Sequence, residues 1–115
     1  VRASATEGLI RLGDPSALTL ATELARHSDP SIRGAAAQAL SASAEKDALA
    51  ILQTLLQDQQ PLPRLMAAKG LRKSSESAIP LLVKRLQDSD EAVRIASANS
   101  LLQQLTRLSS SKRRH

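Results

Sequence analysis

The chain has 115 residues, with 16 basic and 11 acidic side chains for a formal net charge of +5, and it contains no Phe, Trp, Tyr or Cys. Without Cys there is no disulfide, Cys-ligated zinc, thiol nucleophile or iron–sulfur cluster. Without aromatic rings there is no platform for stacking bases, sugars or flat cofactors. The apolar set of 20 Leu, 19 Ala, 5 Ile, 3 Val and 1 Met favours helices over sheets.

A single domain is expected at this length. No apolar run is long enough to cross a membrane, so no membrane insertion is expected, and no signal-peptide pattern opens the chain. The lack of Cys fits the cytoplasm and the periplasm alike, with the cytoplasm as the default. The charge is uneven: residues 1–58 carry a net −2 and residues 59–115 a net +7. Any preference for a polyanion therefore belongs to the second half.

Hydrophobic periodicity predicts helices over Val1–Leu12, Pro15–Arg26, Pro30–Ala42, Lys46–Gln57, Leu62–Lys73, Ser77–Gln87 and Glu91–Leu108. Asp14-Pro15 and Asp29-Pro30 read as an N-cap followed by Pro at the first helical position. In Lys46–Gln57 the residues Leu49, Leu52, Leu55 and Leu56 form a stripe, and in Pro30–Ala42 the residues Ile32, Ala36, Ala39 and Leu40 share a face. Pro61 and Pro63 fall where a helix begins. Pro80 is tolerable in a first turn if Ser77 is the cap. Residues 109–115, SSSKRRH, read as a flexible basic tail.

These elements repeat. The pairs Val1-Arg2, Ile32-Arg33, Pro63-Arg64 and Val93-Arg94 recur every 30 or 31 residues. Behind each Arg the same register brings Ala5, Ala36, Ala67 and Ser97, then small Gly8, Ala39, Gly70 and Ser100, then Leu9, Leu40, Leu71 and Leu101. Ahead of the last three Arg residues stand Ala17, Ala48 and Ala78, and six positions before them stand His27, Asp58 and Asp88. A helical pair of this size cannot bury its apolar face alone, whereas stacked copies can. The small residues would let helix axes approach while Leu side chains interlock around them.

An Asp before the turn with a Val-Arg opening the second helix, as in Asp58 with Arg64 and Asp88 with Val93-Arg94, resembles HEAT-like repeats of the short variety named after phycobilin lyases. The resemblance covers Val1 to about Leu108. It implies an all-α superhelix, a HEAT-like solenoid of about seven helices in stacked antiparallel pairs. The domain is then 1–108, with units of about 1–13, 14–44, 45–75 and 76–108, followed by the tail 109–115. It also implies that Asp and Arg pair within and between units, a structural ladder of Arg33, Asp58, Arg64, Asp88 and Arg94. His27 and Pro63 depart from the pattern. Because the chain opens on the second helix of a unit, it is expected to be the C-terminal part of a longer protein.

Catalytic signatures are lacking. His27 lies in a turn where the repeat usually has Asp, and no His precedes a Glu as in the iron-binding hydroxylase branch of these repeats. The carboxylates Asp88, Asp90 and Glu91, and Glu45 and Asp47, suit helix N-termini better than acid–base work. There is no Gly-x-Ser-x-Gly elbow, phosphate loop or calcium loop. No catalytic, metal or cofactor-binding residue is assigned, and no cofactor is expected. Lys69, Arg72 and Lys73, with Arg107 from the next unit, form a candidate basic patch on what the architecture makes a concave surface, against the plainer reading of a solvated helix face. The leading functional reading is a non-catalytic scaffold that docks a protein partner or an adjoining domain of its parent chain. Nucleic-acid backbone binding by the basic half ranks second. A chromophore-lyase subunit ranks third, on family resemblance alone.

Overall fold

The computed structural model describes residues 15–42, 46–73 and 76–113. The predicted opening helix over Val1–Leu12 and the Asp14 cap lie outside these residues. The described residues form six α-helices and no strand: α1 (Pro15–Leu24), α2 (Pro30–Leu40), α3 (Lys46–Leu55), α4 (Pro61–Gly70), α5 (Ile79–Arg85) and α6 (Glu91–Arg113). This is the all-α architecture expected from the repeat.

Local chemistry sets the helix limits. Asp29 adopts extended backbone and its Oδ1 accepts the Ser31 amide at 2.8 Å, with Pro30 opening α2. Pro61 opens α4 after Gln60, which supplies no side-chain cap. α4 tightens into a 3-10 turn over Leu71–Lys73. Two details differ from the sequence expectation. Ser77 does not cap α5: it lies in a 3-10 turn (Glu76–Ala78), its hydroxyl accepts from Gln53, and Ala78 holds the cap position with Pro80 in the first turn. The last helix also passes Leu108 and stays helical to Arg113, because no Pro or Gly interrupts Ser109–Arg113.

Helices pack in antiparallel pairs, α1 on α2, α3 on α4 and α5 on α6. The second helices α2, α4 and α6 stack on one another in series through the most extensive interfaces, while the first helices touch each other little. The shared core runs along this seam. Leu40, Leu52, Leu56, Leu71 and Leu82 are fully buried, set among Ala36, Ala37, Ala39, Ala67 and Ala68. Gly70 shows why the position is small. A Cβ there would lie 2.9 Å from the Ser41 Cβ and 3.3 Å from the Leu52 methyls.

Candidate interaction surface

The turns between first and second helices carry the Arg and Asp side chains singled out above. Arg33 on α2 grips Asp58 of the next unit with two parallel bonds, Nε to Oδ2 at 2.8 Å and Nη2 to Oδ1 at 3.0 Å. Arg64 on α4 grips Asp88 in the same way, at 2.9 and 3.0 Å. The remaining nitrogen Nη1 turns back to its own unit. In Arg33 it donates to the His27 and Ser28 carbonyls at 2.8 and 3.0 Å, and in Arg64 to the Asp58 carbonyl at 2.8 Å. One planar guanidinium therefore ties its own turn to the next. Among the described residues Arg94 keeps only the backward bond, to the Asp88 carbonyl at 2.7 Å.

The carboxylates also order their turns. Asp58 Oδ1 accepts the Gln60 amide and Asp88 Oδ1 the Asp90 amide, both at 2.9 Å. His27 does the same work with a different atom: its Nδ1 accepts the Asp29 amide at 3.0 Å. Asp90 joins no Arg. Its Oδ1 caps α6 by accepting the Val93 amide at 3.1 Å. Burial pushes the Asp88 carboxyl up, but the hydrogen bonds from Arg64 and the Asp90 amide and the charges of Arg64 and Arg85 outweigh it, leaving Asp88 below its ordinary value. Asp58 is lowered by the same balance of burial against Arg33, the Gln60 amide and Arg64.

Between α4 and α6 runs an open groove of about 500 Å³, floored by Leu65, Ile95, Ala96 and Ser100. Lys69 and Arg72 line it on the α4 side and Asn99 and Gln103 on the α6 side. Both basic residues are exposed. Of the candidate basic patch the structure thus brings Lys69 and Arg72 to one groove. Arg107 is exposed further along α6 and does not line it, and the Lys73 side chain lies outside the described residues. Among the described residues no group of His, Asp and Glu is placed to hold a metal ion.

Two polar residues fix the groove's walls together: Ser100, legible in the sequence only as a small residue of the repeat register, and Gln104. Ser100 and Gln104, one helical turn apart on α6, are buried and donate to the Ala68 and Leu71 carbonyls at the end of α4. Asn99 and Gln103 repeat the same polar spacing and are exposed, so spacing alone does not mark the buried pair. Ser97 is different: its hydroxyl is buried and has no hydrogen-bond partner among the described residues.

The sequence matches HEAT repeats over residues 1–72 and again over residues 50–111. No individual curated protein matches it. The match is to HEAT repeats and does not single out the short phycobilin-lyase variety, and it spans nearly the whole repeat register read from the Arg spacing. The chain belongs to the HEAT-repeat family.

Proposed function

We propose that the protein is a non-catalytic helical-repeat scaffold that docks an acidic segment of a protein partner along the groove between α4 and α6. One observation carries this reading. The groove has an apolar floor of Leu65, Ile95 and Ala96 with Lys69 and Arg72 beside it, on the face formed by the stacked second helices. An apolar floor rewards burial of partner side chains, and the two cations select acidic neighbours and speed encounter. The net +7 of residues 59–115 adds a long-range field of the same sign.

Phosphate backbones would answer to the same charge, but with no aromatic ring in the chain they would gain little beyond it. The experiment places a photo-crosslinking residue at Asn99, in the groove, or at Gln87, outside it, in the full chain expressed in its own cells. A discrete protein adduct formed from Asn99, absent from Gln87 and suppressed by Lys69→Glu with Arg72→Glu, is the expected result. Crosslinks of equal pattern from both positions, or to nucleic acid alone, would overturn the reading.

A further inference from the structure

The Arg–Asp ladder ends on a rung that is half made. Arg33 and Arg64 each send Nη1 to a carbonyl six residues back and present the Nε–Nη2 edge to a carboxylate of the following unit. Arg94 has the same backward anchor on the Asp88 carbonyl, which holds its guanidinium in the same register. Its Nε–Nη2 edge meets no carboxylate among the described residues.

The helix face beside it is open as well. Ala98 is half-buried, whereas Ala37 and Ala68, at the same register in α2 and α4, are fully buried. Leu102 and Leu105 follow on that face and are 63% and 53% exposed. In the two preceding units the Arg fork is met by an Asp of the next unit and the Ala at this register is buried, whereas the Leu pair belongs to α6 alone.

The described residues do not fold back over this face, and a second copy fits it poorly. α2 and α4 stop at Leu40 and Gly70, where the chain folds back, but α6 runs through the corresponding Ser100-Leu101 to Arg113. The residues that would begin a following hairpin extend α6 instead. A second copy stacked head to tail would offer His27 at the ladder position of its leading described turn, and an imidazole cannot receive a bidentate guanidinium. We therefore propose that the end face of α6 docks a helical segment of another protein, with an Asp or Glu paired to the Nε–Nη2 edge of Arg94 and apolar side chains on Leu102 and Leu105. This surface is separate from the groove, which neither Leu102 nor Leu105 lines.

The probe is a synthetic peptide copying residues 86–104, the turn and second helix whose Asp88 occupies the equivalent edge of Arg64. It is titrated into the isotope-labelled full chain and followed by NMR. The expected result is a shift of the Arg94 Nε–H resonance and of amides around Leu102 and Leu105. Affinity should fall about tenfold or more with Arg94→Gln in the chain or Asp88→Asn in the peptide. Leu102→Lys, at an exposed position that folding does not need, should weaken it too. Absence of binding, shifts confined to the Leu65–Arg72 groove, shifts at Ala68 and Leu71 showing exchange with α6, or binding indifferent to both charge changes would each overturn the proposal. A groove-only result would leave the reading of the groove standing, so the two are separable.

Discussion

Arg64 closes a two-point ion pair on Asp88 across neighbouring repeats, and Asp88 is the more deeply buried partner, with 2% of its side chain exposed against 10% for Arg64. Arg85 adds a third contact to the same carboxylate at 3.2 Å. A charge held this deeply is tolerable only because every acceptor site is used. Asp88→Ala would strand Arg64 in a low-dielectric seam, and the expected loss of folding stability is on the order of 3 kcal/mol. Asp58→Ala should be milder, since Asp58 and Arg33 are 11% and 16% exposed and water can replace part of the lost contact. Urea unfolding of the two variants beside the parent chain checks the order.

The same pairs make stability depend on acid. Asp58 and Asp88 sit below the ordinary 3.8 in the folded chain. A carboxylate lowered by folding contributes stability that is complete above its unfolded value and disappears as pH falls through its folded value. The urea midpoint should therefore be flat near neutrality and drop as pH falls below about 4. Asp88→Asn should start lower and show a shallower acid limb. An unchanged limb in that variant would show that other groups govern acid unfolding.

Gly70→Ala reverses the usual helix rule. Ala gains about 1 kcal/mol over Gly in a helix interior. Here the added carbon would stand 2.9 Å from the Ser41 Cβ, an atom bonded directly to backbone that cannot swing aside. Overpacking of about 1–3 kcal/mol should outweigh the propensity gain, so the variant should melt below the parent. A higher melting temperature would mean that the α2–α4 seam relaxes around the new methyl group.

Ser97→Ala should do the opposite. The hydroxyl is buried and has no partner among the described residues, and Ala36 and Ala67 occupy the same register, fully buried, in the two preceding units. Removing a stranded polar atom and improving helix propensity should together add about 1 kcal/mol. Thermal unfolding of the single variant measures it directly.

Much of the fold could be read from the Arg spacing and the small–Leu register behind it, because a stack of identical units must repeat its contacts at the same interval. The partners of Arg33 and Arg64 came through the family resemblance rather than through spacing, since Asp58 and Asp88 lie 25 and 24 residues away along the chain. His27 could be seen as a departure but not as a substitute. Only the turn geometry shows its Nδ1 on the Asp29 amide in the place where the two Asp residues use Oδ1. Gln104 was illegible because Gln ordinarily faces water, and it is buried here only because the end of α4 presents the Leu71 carbonyl to it. Of the basic patch, Lys69 and Arg72 share a groove, as two residues three apart on one helix face can. Arg107 lies too far along α6 to join them, because that helix continues where its counterparts end.

On the proposed function, the groove between α4 and α6 receives an acidic protein segment. The most direct measurement is the affinity of the crosslinked partner for the parent chain and for the Lys69→Glu, Arg72→Glu double variant, each at low and high salt. Weakening of about tenfold or more by the double variant, and a parent affinity that falls as salt rises, is what the groove predicts. Equal affinity for both chains with no response to salt would contradict it.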